Sequence, residues 1–419
     1  MLALILLGLV TTAAGTLLTL SPTHQDHCKV DQVLWRQKAV LKMWDERRLM
    51  KPTPLKFYKV PGMPHIEMFF KDESESRTSN LKHRMAWSLI MWGLIEGHIK
   101  QNIHLYEASS GSTALSLAYM ARIIGIKFTA VLPDSVPLQT IEKIRQYGAE
   151  AMKVPTAMMF DRATELAKKN RGFFLNQFAN ADKAEDYHAT DYLKYDSINI
   201  MHEIVKQFKA MKKREPHYFV HTAGTGGMIT SVGRYVLKAG LNTKVVLADT
   251  QFSIYYDYVI NNKFTKESGL YNWQGPGIPG AGFGNTGPAV EGVTTSLHRN
   301  VIDIAYKIPD LASVAAMHFL KDNGIRGGVS TGLNFLAALS IGANNRSKGE
   351  KIRIVPIIGD KAEIYQNTYL NNKFVDARFH TQGGQKVFDC WKRVIKAAVT
   401  SGKDPLKLGA AQCKYEAGK

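Results

Sequence analysis

Short apolar runs of strand length alternate with longer stretches that carry apolar residues at helical spacing through most of this 419-residue chain. Residues 66–70 precede the helix-like 85–92. Residues 103–107 lead through 108–113 into the helix-like 114–124, and 128–132 lead through Pro133-Asp134 into 138–147, with Gly148 as a helix stop. Further strands are expected at 218–220, 244–248 and 352–358. Strands alternating with amphipathic helices predict an α/β architecture built on parallel sheets. Residues 21–50 read as a polar helical arm with Trp35, Val40, Leu41 and Trp44 on one side, after which Pro52, Pro54, Pro61 and Pro64 break the pattern. From 371 to 419 the chain turns polar and basic, which predicts an extension packed outside the core.

The first ten residues are apolar apart from Gly8, and Thr11 to Thr16 supply small residues that suit a cleavage site. Residues 1–20 therefore read as a secretory signal peptide without a basic leader, which predicts secretion or residence in the secretory lumen and no stable membrane span after cleavage. Leu17, Leu18 and Leu20 extend the run nearly to membrane-spanning length, so an uncleaved anchor is the alternative. Asn345-Arg346-Ser347 has the form of a glycosylation acceptor.

With 45% hydrophobic and 21% charged residues the chain can bury a substantial core. Its net charge of +18 would suit an anionic partner, but the basic residues form no long block with interleaved aromatics, which argues against nucleic acid. Cys28, Cys390 and Cys413 lack metal-ligand spacing, and no metal is expected; Cys390 and Cys413 could form one disulfide.

Ligands of α/β folds bind where strands end and helices begin, so the loops there carry the candidate chemistry. Lys82, in Thr78-Ser79-Asn80-Leu81-Lys82-His83-Arg84, stands at such a junction, where the positive helix end favours a neutral amine able to condense with a carbonyl. A solvated lysine beside Arg84 is the other reading. Gly224, Thr225, Gly226 and Gly227 follow a strand and open a helix, either as a phosphate cradle or as a tight turn. Ser109, Ser110, Ser112 and Thr113 offer four hydroxyls at another helix start, suiting a carboxylate or a simple helix cap. Gly328-Val329-Ser330-Thr331-Gly332 matches the Gly-x-Ser-x-Gly elbow letter for letter, but 322–325 is not a convincing core strand to precede it.

In this order and spacing, the four motifs resemble the fold-type II pyridoxal-phosphate enzymes, the cysteine synthase and cystathionine beta-synthase family, over roughly residues 45 to 370. Lys82-His83-Arg84, Glu107-Ala108-Ser109-Ser110-Gly111-Ser112-Thr113 and Gly224-Thr225-Gly226-Gly227 are most similar to the L-cysteine desulfhydrase branch. The ordinary synthases usually carry Lys-Asp-Arg and Ser-Gly-Asn-Thr-Gly at the first two sites.

The resemblance implies two three-layer α/β/α subdomains within 51–370, with pyridoxal 5'-phosphate between them, and a homodimer. It implies that Lys82 holds the cofactor covalently and later removes the substrate's α proton. Gly224, Thr225, Gly226 and Gly227 would take the phosphate, Ser112 the ring hydroxyl and Ser330 the ring nitrogen. Ser109, Ser110, Thr113 and Gln177 would receive the carboxylate of an amino-acid substrate, and Asp360 matches an acidic position near the ring nitrogen.

Met228 departs from the family's threonine or serine, and Asp360-Lys361-Ala362-Glu363-Ile364-Tyr365 departs from its Asp-Ser-Gly-Glu-Arg-Tyr. The reaction implied is α,β-elimination from L-cysteine or a related amino acid, giving sulfide, pyruvate and ammonia. The alternatives are β-replacement, as in cysteine or cyanoalanine synthesis, and a secreted binding protein that keeps the fold with weak turnover.

Overall fold

The computed structural model describes residues 24–134, 136–186, 197–262, 277–284, 289–346 and 351–414. The expected signal peptide and Ser347 of the glycosylation motif lie outside the described residues.

Ten strands appear among the described residues: β1 (Leu55–Tyr58), β2 (Ile66–Asp72), β3 (His104–Ala108), β4 (Lys127–Pro133), β5 (Glu150–Val154), β6 (Phe173–Phe174), β7 (Tyr218–His221), β8 (Lys244–Thr250), β9 (Ile304–Ile308) and β10 (Ile352–Ile358). They form a six-stranded sheet in the order β1-β2-β10-β7-β8-β9 and a four-stranded sheet in the order β5-β4-β3-β6. Every neighbouring pair is parallel except β1 with β2. The larger sheet is therefore mixed rather than purely parallel. Strand β1 follows Pro52 and Pro54, which read as breakers. An edge position tolerates them, since the Pro54 carbonyl still accepts from the Asp72 amide at 2.9 Å.

Alternate residues of the central strands face opposite ways, and both faces are covered. Tyr218, Val220, Val246, Ala248 and Ile354 pack against the helices Asp310–Asp322 and Val329–Asn344. Phe219, Val245, Leu247, Val355 and Ile357 pack against Ile200–Ala210 and Gly227–Lys238. This double burial explains why these strands read as continuous apolar runs rather than as alternations. In the smaller sheet Leu105, Phe128, Ala130 and Leu132 meet the helices Lys82–Ile95 and Ser112–Ile124, while Ala108 and Val131 meet Met159 and Ala163 on the other side.

The arm is one helix, His24–Leu49, lying across Lys82–Ile95 and Ser112–Ile124. Its inward face is Ala39, Met43, Trp44 and Glu46, whereas Leu41 is 61% exposed. Trp44 packs edge-on against Trp87 at 5.2 Å, and the Trp87 indole donates to the Met43 carbonyl at 2.5 Å.

The segment beyond residue 370 does not pack outside the core. Val387, Phe388, Trp391, Val394, Ile395 and Ala398 of the helix Gly384–Ser401 are buried in the same cluster as Leu311, Val314 and Ala315. Each such large side chain contributes about 1.5–3 kcal/mol relative to exposure, and their spacing of three and four outweighs the basic residues on the solvent side. A Cys390–Cys413 disulfide ties this helix to Pro405–Gln412.

Candidate active site

Lys82 is the first residue of its helix, and its amide donates to Asn80 Oδ1 at 2.9 Å. The loop before it is pinned to the end of β10: the Leu81 amide donates to the Gly359 carbonyl at 2.8 Å, and Asn80 bridges Asp360. Asp360 in turn accepts the Gly328 amide at 3.0 Å, which fixes the start of the helix carrying Ser330. Space is so limited that a side chain at Gly359 would meet both Leu81 and Ser330 Oγ. Three distant segments are thus held within contact of one another. Ser330 follows the β-bridged Gly327 and not a core strand, so the elbow motif lacks its strand-turn-helix setting.

The glycine loop meets this group from β7. Gly226 has φ of +87°, and a side chain there would run into Leu297; at Gly227 it would meet Ala181. Glycine is needed for both conformation and close approach. The Thr225 carbonyl accepts from the Ser296 amide at 2.8 Å, and Ser296 Oγ donates to the Phe178 carbonyl at 2.8 Å, tying the loop to the helix Gln177–Asp186.

Of the four residues expected to receive a carboxylate, the structure gathers three. Thr113 Oγ1 donates to Gln177 Oε1 at 2.7 Å, and Gln177 Nε2 donates to the Ala108 carbonyl at 2.9 Å. Ser109 Oγ accepts the amides of Gly111 and Ala114 at 3.1 and 3.2 Å, so it caps the helix and keeps its own proton to donate. Ser110 is exposed and Ser112 half-buried at the first helical position. Beneath them lies Glu107, whose carboxyl burial pushes well above the usual range.

Lys82 keeps part of its surface open, yet burial pushes its amine below the usual value, against the opposing Glu185 carboxylate. Its neighbour His221, at the end of β7, is pushed down to about 3 by burial and then by the Lys82 charge, so the ring is neutral. His221 Nδ1, Thr222 Oγ1, Thr331 Oγ1 and Asp360 Oδ1 are all buried with no hydrogen-bond partner in the protein. Burial raises the Asp360 carboxyl to about 6, against a hydrogen bond from Tyr365 at 2.7 Å. Buried polar atoms left unpaired are costly, so their presence beside the ends of β7 and β10 marks where a polar ligand belongs.

A family model described as pyridoxal-phosphate dependent enzyme matches residues 47–358. The chain belongs to that family. A pyridoxal-phosphate dependent protein of Caenorhabditis elegans is 42% identical over 388 residues, 90% of this chain and 89% of that one. The L-cysteine desulfhydrase Cds1 of Mycobacterium tuberculosis is 30% identical over 355 residues, covering 82% and 90%. In fold, the chain is similar to the crystal structure of O-ureido-L-serine synthase, with a TM-score of 0.61 at 23% identity over 76% of this chain and 92% of that one.

The family's cofactor suits this group of residues, which offers an amine with a depressed pKa, a glycine cradle at a helix N-terminus and buried hydroxyls without partners. Sequence reasoning did not find the support behind it. Arg84 pairs with Glu73 and Glu203, and Lys71, 0% exposed, contacts Glu203 at 2.5 Å, Gln207 at 2.8 Å and the Thr53 carbonyl at 2.7 Å. Burial works against ionised Glu203, yet Arg84 and Lys71 together hold it down at about 2. Nor does the sequence single out His221, although its place just before the loop that opens at Thr222 is a usable signal.

Proposed function

We propose that this protein is a pyridoxal-phosphate dependent lyase acting on L-cysteine or a closely related amino acid by α,β-elimination and hydrolysis, one water being consumed to give sulfide, pyruvate and ammonia. The observation that carries this reading is Lys82: an amine with a depressed pKa at the point where the ends of β7 and β10 and the Ser330 helix meet. The similarity to a protein named L-cysteine desulfhydrase supports the substrate class.

Lys82 Nζ would hold the cofactor covalently and would accept the α proton, which an amine depressed by burial can do near neutral pH. The amides of Gly224, Thr225, Gly226 and Gly227 are assigned the phosphate, with the positive end of Gly227–Lys238 behind them. Ser330 is assigned the ring nitrogen and Ser112 the ring hydroxyl. A hydroxyl at the nitrogen offers a hydrogen bond without a charge. Ser109, Ser110, Thr113 and Gln177 are assigned the substrate carboxylate, and the mutual bond of Thr113 and Gln177 keeps that wall in shape. Bound pyridoxal phosphate supplies the electron sink that makes the α hydrogen removable.

The same reading assigns the protein to the secretory lumen or the cell exterior. The Cys390–Cys413 disulfide supports this, because such bonds persist in oxidising compartments.

The test is product stoichiometry from L-cysteine alone, with Lys82→Ala as control. Equal sulfide and pyruvate, with a silent control, is the expected result. Sustained sulfide release only when a second nucleophile is present, with a β-substituted amino acid and no pyruvate as the other product, would replace elimination by β-replacement, and a protein that takes up no cofactor would leave only a binding role.

A further inference from the structure

The arm helix reaches the lysine loop through a side chain that no motif signals. Glu46, 4% exposed, accepts from Tyr119 Oη at 2.9 Å through Oε2, while its Oε1 lies 3.1 Å from Arg77 Nε and 3.3 Å from His83 Nε2. His83 is the residue after the lysine. Its Nδ1 lies 3.3 Å from Thr78 Oγ1, which is 2.8 Å from Ser116 Oγ, which is 3.2 Å from Asn80 Oδ1. Asn80 Oδ1 holds the Lys82 amide.

The direction of this chain follows from proton counting. An amide oxygen only accepts, so Ser116 gives its one proton to Asn80 and must accept from Thr78. Thr78 has then spent its own proton and must accept from His83 Nδ1–H. Both hydroxyls are satisfied only if His83 keeps hydrogen on Nδ1, and Glu46 Oε1 faces the ring's other nitrogen at 3.3 Å. Tyr119 and Ser116 belong to the helix Ser112–Ile124, so one carboxylate from the arm braces the helices of two site loops at once.

We propose that Glu46 is a positioning residue: through His83 it holds the lysine loop in register, making the helix His24–Leu49 a working part of the active site. The proposal rests on the reading of Lys82 as the cofactor's amine.

The experiment compares Glu46→Gln, Glu46→Asp, His83→Asn and the double variant Glu46→Gln/His83→Asn in the full chain. Asp45→Asn, which removes an exposed charge one residue away on the same helix, is the control. The readouts are the dissociation constant of pyridoxal phosphate by absorbance titration, kcat and KM for L-cysteine, and the melting temperature. Losing a contact to a buried charged group predicts about a tenfold weaker cofactor and about a tenfold lower kcat for Glu46→Gln, with KM changed less than about twofold.

Partial recovery in Glu46→Asp, a double variant no worse than either single one, and an unchanged control are expected. Cofactor affinity and kcat that match wild type in Glu46→Gln, or a double variant whose losses multiply, would overturn the proposal. A Glu46→Gln protein that loses melting temperature but not cofactor affinity would also overturn it, by reducing Glu46 to a packing role. If the wild-type protein makes no pyruvate, the elimination reading fails while cofactor affinity still decides this one.

Discussion

Arg84 grips Glu73 through two parallel contacts, Nε to Oε2 at 2.7 Å and Nη2 to Oε1 at 3.0 Å, only two residues beyond Lys82. The same guanidinium reaches Glu203 at 2.8 Å and the Ile198 carbonyl at 3.2 Å. A planar fork with this many acceptors cannot be replaced by a point charge. Arg84→Ala leaves the buried Glu73 carboxylate without its charged partner and Glu203 with Lys71 alone, and is expected to cost about 3–5 kcal/mol of stability, with cofactor retention lost as the helix start loosens. Denaturant titration measures the first effect and the cofactor's absorbance the second. A loss below about 1 kcal/mol would show that the pair is not structural.

Glu203 gives the network a pH signature. Its carboxyl sits near 2 in the folded protein against an ordinary value of 4.5, so the stability it contributes is present above about pH 4.5 and is lost as pH falls toward 2. Melting temperature followed from pH 6 to pH 2 should fall steeply over that window in wild type and less steeply in Glu203→Gln. Parallel curves would contradict the assignment.

Gly226 tests the phosphate cradle. Its φ of +87° costs any other residue about 1–2 kcal/mol, and a methyl group there also strikes Leu297. Gly226→Ala should lower cofactor affinity at least tenfold, read by absorbance titration, and an unchanged affinity would show that the loop does not carry the phosphate.

The disulfide closes a loop across a sequence separation of 23 residues. Cys390→Ser is expected to cost about 3 kcal/mol, and reductant should lower the melting temperature of wild type but not of the variant. No response to reductant would mean that the bond does not form in the protein.

What the sequence disclosed follows from how local each feature is. Lys82, the glycine loop and the hydroxyls from Ser109 to Thr113 each sit at a strand-to-helix junction, where apolar periodicity changes within a few residues, so they could be placed without long-range information. Their mutual contacts could not. Glu203 meets Lys71 across 132 positions and Glu46 meets Tyr119 across 73, and no short spacing encodes either pair.

The helix Gly384–Ser401 was misjudged for another reason. Its apolar stripe was present in the sequence, but the basic residues between its members set the average, and an average does not distinguish a solvated helix from an amphipathic one docked on a core. Strand β1 is hidden in the sequence because Pro52 and Pro54 signal a break, and only the edge position of the strand makes them acceptable.

The most direct test of the account is to find where the cofactor attaches. Borohydride reduction of the protein loaded with pyridoxal phosphate, followed by peptide mass analysis, should place the added mass on Lys82. Lys71, buried in β2 of the larger sheet, is held by three oxygen acceptors and should stay unmodified. Label on Lys71, or on no lysine, would contradict the assignment of Lys82 as the working amine and with it the proposed chemistry.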